Sequence, residues 1–195
     1  MTGKMQETTD PLCSGIRDEY ARLGVETYYQ TKGDQYTNPH FEQVRQLLIE
    51  NEKRIDYSNA LDFCCGSGEV SLVLRELGYP LPTACDPYTH KAYQNNFDRT
   101  CLPFSFADVI RGKLKGQFST IICSFALHLC PGKQHFPLVF NLFQCTDQLV
   151  VITPHKRPAL ERLDFVTLKF EDAVLTQRKK KVRLKSYTAS KIGSK

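Results

Sequence analysis

The chain has 195 residues, 41% hydrophobic and 24% charged, with 26 Lys and Arg against 21 Asp and Glu. That balance suits one soluble globular domain with a full core and excludes extensive disorder; the excess of positive charge is modest. No stretch has the length and apolarity of a membrane span, and MTGKMQETTDPLCSGIRDEY lacks a signal-peptide core and carries too many acids for a transit peptide. The expected location is therefore cytoplasmic or nuclear.

The tyrosine-rich segment EYARLGVETYYQTKGDQY has weak periodicity, and the first clear helix follows it in YTNPHFEQVRQLLIENEKR. There Asn38 is a capping residue, Pro39 fits a first turn, and Phe41, Val44, Leu47 and Leu48 form an inner stripe. Beyond it the chain alternates short apolar runs with helical patterns, as βα units of a parallel sheet do. Strands are predicted at Ala60–Cys64, Thr83–Asp86, Phe104–Phe106, Thr120–Phe125 and Leu149–Thr153. GEVSLVLRELG puts Val70, Val73, Leu74 and Leu77 on one helix side and stops at Gly78. KQHFPLVFNLFQC spaces Phe136, Val139, Phe140 and Phe143 as a buried helix face. FVTLKFEDAVLTQ and KKKVRLKSYTAS leave no room for a crossover helix and read as an antiparallel pair, with Val182 and Leu184 inward and Arg183 and Lys185 in water.

Eight cysteines lie mostly in apolar segments such as IICSFALHLC and read as reduced core residues. Cys64 and Cys65 are adjacent and Cys123 and Cys130 seven apart, so no C-x-x-C pair suggests a metal, and none is expected. The basic run RKKKVRLK, Arg178 to Lys185, suits an anionic partner; it also fits an edge strand guarded by lysines.

Chemistry concentrates in ALDFCCGSGEVSLVLRELG. A strand, a turn of small residues and a helix bring backbone N–H groups to the carboxyl edge of a parallel sheet, where open α/β folds bind ligands. Gly66 and Gly68 allow positive φ and close approach of a ligand. Asp62 lies in the first strand, and Asp86 falls 18 residues after Gly68, near where an acid meets the ribose hydroxyls of an adenosine-containing ligand. Asp108, in SFADV, sits where the next loop covers an adenine ring, although a helix cap is an equally ordinary use for it. A nicotinamide dinucleotide would want Gly-x-Gly-x-x-Gly, but Cys64 and Ser71 occupy the glycine places of the two registers.

Together LDFCCGSG, ACDPY, FADV and IICSFALHL resemble the successive motifs of class I S-adenosylmethionine-dependent methyltransferases, from about Asn59 to the C-terminus. The resemblance implies a Rossmann-like α/β three-layer sandwich: a mostly parallel seven-stranded sheet with an antiparallel last strand, preceded by an N-terminal helical or lid extension. Residues 1–58 would be that extension and 59–195 the S-adenosylmethionine-binding domain. It implies that the turn Cys64, Cys65, Gly66, Ser67 and Gly68, with Asp62, faces the methionine part of the cofactor. Asp86 with Pro87 would hold the ribose, Asp108 and Val109 would flank the adenine, and Ser124 would stand beside the transferred methyl. Cys64 departs from the family's usual glycine.

His128 and His155 are the candidate bases or substrate contacts, since histidine titrates in the useful range. Lys156 and Arg157 suit phosphates, and Tyr28, Tyr29, Tyr36 and His40 suit a lid or stacking surface. RNA is favoured over a small molecule or protein side chain as acceptor. The motifs of exocyclic-amine and cytosine-C5 methylation are missing from the sequence. A catalytically silent binding subunit and a nicotinamide-dependent reductase are the competing readings.

Overall fold

The computed structural model describes residues 38–190. Its centre is a seven-stranded sheet in the order β3-β2-β1-β4-β5-β7-β6. The strands are β1 (Ala60–Phe63), β2 (Thr83–Cys85), β3 (Cys101–Leu102), β4 (Thr120–Ser124), β5 (Leu149–Thr153), β6 (Val166–Leu175) and β7 (Lys181–Ala189). β1 to β5 pair in parallel, and β7 runs against both of its neighbours, β5 and β6. This is the expected three-layer architecture with its reversed last strand. The middle strands ALDF, TIICS and LVVIT are apolar almost throughout because helices cover both faces of the sheet.

Helix α1 (Phe41–Glu50), α2 (Glu69–Glu76) and α3 (His90–Phe97) lie on one face, and α4 (Phe106–Ile110) and α5 (His135–Phe143) on the other. Val44, Leu47 and Leu48 of α1 share a buried cluster with Val70, Val73 and Leu74 of α2 and with Ile122, Val150 and Ile152 of the sheet. α1 is thus built into the same core as the strands. Gly78, at φ 84, closes α2 as its sequence pattern requires, with Tyr79 donating back to the Leu74 carbonyl. No helix among the described residues is long and apolar enough to cross a membrane.

Four local expectations change. The third strand is Cys101–Leu102, and Phe106 opens a helix, because Ser105 and Asp108 form a capping box that starts α4 there. Helix α1 begins at Phe41 rather than at Asn38; the Asn38 carboxamide accepts the His40 N–H in a local turn before it. α5 buries Leu138, Val139 and Leu142, while Phe136 is 54% exposed and Phe140 37%. Those two rings lie over Phe165 instead, at 5.1 and 6.0 Å between centroids.

The last correction concerns the lysine-rich strand. β7 is internal and β6 is the edge, so the lysines do not guard an open edge. Nor is the Arg183 and Lys185 face wet. Lys185 is buried between Glu161, at 3.5 Å, and Glu171, at 3.8 Å, and Arg183 pairs with Glu171 at 3.1 Å. Tyr187 donates its hydroxyl to the second oxygen of Glu161, so the buried ammonium sits in a satisfied network.

The two faces of α5 separate in a denaturation experiment. Leu138→Ala is expected to cost about 2–5 kcal/mol by opening a cavity, whereas Phe136→Ala is expected to cost under about 1 kcal/mol. Urea titration of both variants checks the assignment, and a larger loss for Phe136→Ala reverses it.

Candidate functional site at the carboxyl ends of the parallel strands

The loops that leave β1, β2, β3 and β4 surround a hollow of about 530 Å³, within the range of small-molecule sites. Its lining comes from Cys64, Cys65 and Gly66 after β1, Glu69 and Val70 of α2, and Asp86, Pro87 and Tyr88 after β2. Ser105, Phe106 and Ala107 close it at α4, Ser124, Leu129, Pro131 and Gln134 on the β4 side, and Asn38 at the start of the described chain.

Asp86 joins two of these loops. Its Oδ2 accepts the Gly66 N–H at 3.3 Å, and its Oδ1 accepts those of Tyr88 and Thr89 at 2.8 and 2.9 Å. A carboxylate offers about four acceptor positions, so one remains, on Oδ2. The Cys85 carbonyl takes the Cys64 and Cys65 amides at 2.7 and 3.1 Å, and the Cys65 carbonyl takes that of Gly68 at 2.9 Å. The expected row of free amide donors is therefore mostly spent inside the protein. The hollow offers carboxylates, Glu69 and Asp86, more than it offers donors.

Glu69 is nearly buried at the first position of α2, and its Oε1 accepts both the Asn38 N–H, at 3.0 Å, and the Ser67 hydroxyl, at 2.8 Å. It ties the chain ahead of α1 to the glycine turn. Asp62 is fully buried behind that turn; its Oδ2 accepts the Ser71 amide and hydroxyl at 3.2 and 2.8 Å, and its Oδ1 meets no donor among the described residues. Burial pushes its carboxyl well above the usual range, and the Ser71 hydrogen bonds only partly oppose this. The Ser124 hydroxyl also meets no partner among the described residues.

Cys64 stands at φ 60 and Phe125, directly after β4, at φ 54. Both are left-handed conformations that L side chains seldom adopt. A hydrogen bond with Cys123, together with burial, pushes the Cys64 thiol well up, so it is no nucleophile as it stands. Cys65 and Cys101 face each other at 3.6 Å between sulfurs, and the seven described cysteines are free thiols. Gly68 does not line the hollow. It needs its missing side chain for packing, since a Cβ would lie 2.2 Å from Phe97 Cε2.

Of the residues singled out from sequence, Cys64, Cys65, Gly66, Asp86, Pro87 and Ser124 come together around the hollow. Asp62, Ser67 and Gly68 support it from behind. Val109 is buried in the core, and Asp108 is taken up by Lys113, at 2.7 Å, and by the Ser105 cap, which hold its carboxyl well below the usual range. Ser105, Phe106 and Ala107 occupy the place expected for Asp108 and Val109, a consequence of the shifted third strand. His128 and His155 lie outside the lining with ring centroids 4.6 Å apart, beside the wall formed by Ser124 and Leu129. His40 stacks on Phe125 at 5.0 Å, and Lys156 and Arg157 are exposed beyond β5. Tyr28, Tyr29 and Tyr36 lie outside the described residues. Glu69 and Asn38 were missed: an acid opening a helix reads as ordinary dipole compensation, and no local pattern links residues 31 positions apart.

This fold is that of class I S-adenosylmethionine-dependent methyltransferases. Similar solved structures include the magnesium protoporphyrin IX methyltransferase of Synechocystis PCC 6803 with bound S-adenosylmethionine, at 16% identity and a TM-score of 0.60 over 90% of this chain and 95% of that one. Another is a ribosomal protein L11 methylase of Lactobacillus delbrueckii, at 15% identity and a TM-score of 0.56 over 80% and 81%. A third is a putative RNA methyltransferase of Pyrococcus horikoshii, at 16% identity and 0.52 over 78% and 82%. No family model matches the chain. An uncharacterized protein of Schizosaccharomyces pombe is 34% identical over 75% of this chain and 77% of its own length, and the chain belongs to the same family as that yeast protein.

Two substitutions probe the site without any ligand. Gly68→Ala is expected to lose at least about 2 kcal/mol through its left-handed φ and the clash with Phe97, and adding Phe97→Leu should return part of the loss. An alanine variant as stable as wild type in urea removes the packing argument. For Asp62, the raised folded-state pKa means that its contribution is fully present below the unfolded value of about 3.9 and is lost as pH rises through the folded value. Asp62→Asn cannot ionise, so its stability relative to wild type should improve as pH rises from about 4 to 8; a flat difference contradicts the raised carboxyl.

Proposed function

We propose that this chain is a methyltransferase that takes S-adenosylmethionine in the hollow and methylates RNA. The carrying observation is the convergence of Gly66, Asp86 and Ser124 on one hollow at the carboxyl edge of the sheet. The lining fits such a ligand. Glu69 and Asp86 are negative toward a positively charged group, the Ser124 hydroxyl, which meets no partner among the described residues, is available to a ligand, and Phe106, Ala107, Leu129 and Pro131 offer apolar walls for a flat ring.

When bound, S-adenosylmethionine supplies an electrophilic methyl, so the protein's task is alignment and exclusion of water. In this reading Asp86 uses its remaining acceptor position on the ribose, Phe106 and Ala107 flank the adenine, Glu69 compensates the positive charge, and Asp62 supports the turn from behind. His128 or His155 accepts a proton from the acceptor group. Lys156 and Arg157, on the loop after β5, contact phosphates of the RNA. In this reading Tyr29, Tyr36 and His40 contact the acceptor, and 59–195 form the catalytic domain.

The second reading is a binding platform without catalysis. It draws support from the spent amides of the turn and from the Cys64 side chain where the family has glycine. Calorimetry with S-adenosylmethionine separates the two at their first step. Wild type is expected to bind, and Asp86→Asn, which keeps one oxygen for the backbone amides, to lose at least about tenfold in affinity, as befits a charged hydrogen bond. Full retention in that variant rejects the ribose role. Radiolabelled cofactor added to cell extract then tests the acceptor: label lost on RNase treatment is expected, and label confined to low-mass material overturns the RNA assignment.

A further inference from the structure

The turn between β6 and β7 carries Arg178, Lys179, Lys180 and Lys181, all exposed. The strand register fixes where they stand. Ser124 at the hollow is level with Ile152, which is level with Leu184, which is level with Asp172. The hairpin continues past that line to the Leu175 and Lys181 pair, three residues or about 10 Å beyond the rim at about 3.3 Å per residue. β6 is parallel to β1 through β5, so its turn projects from the same edge that holds the hollow.

The turn itself is built. Thr176 N–H donates to the Lys180 carbonyl at 2.8 Å, Lys179 N–H to the Thr176 carbonyl at 2.8 Å, and Lys180 N–H to the Thr176 hydroxyl at 3.1 Å. Charge divides sharply along the same strand. Arg183 and Lys185 are neutralised by Glu171 and Glu161, whereas Arg178 through Lys181, with Lys156 and Arg157 across the rim, enter no ion pair among the described residues. Edge protection does not explain them, since they sit at a turn and not along β6.

We infer that the β6–β7 turn is a phosphate-contacting finger that holds an RNA acceptor at a distance from the reacting centre. This rests on the RNA reading above and narrows it to a polynucleotide. From Cys64 on β1 to β7 are three strand spacings, about 14 Å at about 4.8 Å each, besides the rise of the hairpin, and one nucleotide does not reach both ends. A phosphate chain suits the finger better than an acidic protein does. Solvated lysines release counterions from a polyanion, but lysine is depleted in protein interfaces, which need an apolar centre. Leu175 alone provides exposed apolar surface at this turn.

The test uses the full chain and a variant carrying Arg178→Ser, Lys179→Asn, Lys180→Ser and Lys181→Ser. Asparagine is chosen for Lys179 because its φ is 56 and asparagine tolerates that region. Anisotropy with a labelled single-stranded oligouridylate reads the affinity, and calorimetry with S-adenosylmethionine on the same preparations reads the hollow. Four lost contacts lower the salt slope by about 2.8, so between about 50 and 200 mM salt wild type should weaken about 50-fold more than the variant. Cofactor affinity should stay the same in both. Equal salt slopes overturn the finger, as does polyglutamate competing as well as RNA, which marks an acidic-protein surface. If neither protein binds the cofactor, the failure is that of the methyltransferase reading and not of the finger, whose salt slopes are read independently.

Discussion

The site hangs on the carboxylate of Asp86. Parallel strands β1 and β2 end side by side, and each must turn its chain away while leaving backbone amides that need acceptors. Asp86 collects three, from Gly66, Tyr88 and Thr89, and the Cys85 carbonyl next to it collects those of Cys64 and Cys65. Each buried amide left without an acceptor would cost about 1–3 kcal/mol. The end of β2 thus acts as a peg from which the β1 turn is suspended, and the hydrogen bonds that shape the hollow are made within the protein. Preorganisation of this kind reduces the ordering cost of binding.

The charges of the last two strands do two jobs, and burial separates them. Lys185 lies deep enough that only Glu161, Glu171 and the Tyr187 hydroxyl bound to Glu161 make its position tenable. That network fastens the short helical turn Leu160–Arg162 to β7, and with it the loop that leaves β5 with His155, Lys156 and Arg157. The cations of the turn beyond are free of such duty. The same run of lysines and arginines thus anchors the rim at one end and presents charge at the other.

Most of the architecture was legible because the parallel strands are continuous apolar runs and α2 has a clean amphipathic stripe with a glycine stop. The failures share a cause. β3 is two residues long, too short for any period, and the capping box from Ser105 to Asp108 claims the residues taken for it. In α5 nearly every side chain is apolar, so spacing alone allowed two faces; the sheet selected Leu138, Val139 and Leu142, and Phe165 drew Phe136 and Phe140 aside. Lys185 read as exposed because a strand pattern cannot announce that Glu161, 24 residues earlier, reaches it. In the site, the acid and glycines of the turn were readable as local motifs. Glu69 with Asn38 was not, since its meaning lies in a contact between distant segments.

The distribution of backbone strain carries the argument one step further. Of the four non-glycine residues at positive φ among those described, Cys64 and Phe125 directly follow the two central strands β1 and β4 at the hollow, while Asp98 and Lys179 lie at ordinary turns. A glycine at either position would relieve a cost of order 1 kcal/mol but would give up the packing of these side chains, Cys64 in one core cluster and Phe125 in the other. Cys64 packs against the cluster that holds Cys123 of β4, and the Phe125 ring stacks on His40 just ahead of α1. Strain is thus held at the ends of two adjacent strands, β1 and β4, by side-chain packing on one and by a ring stacked on the residue just ahead of α1 on the other, and it is these contacts that the strained backbone serves.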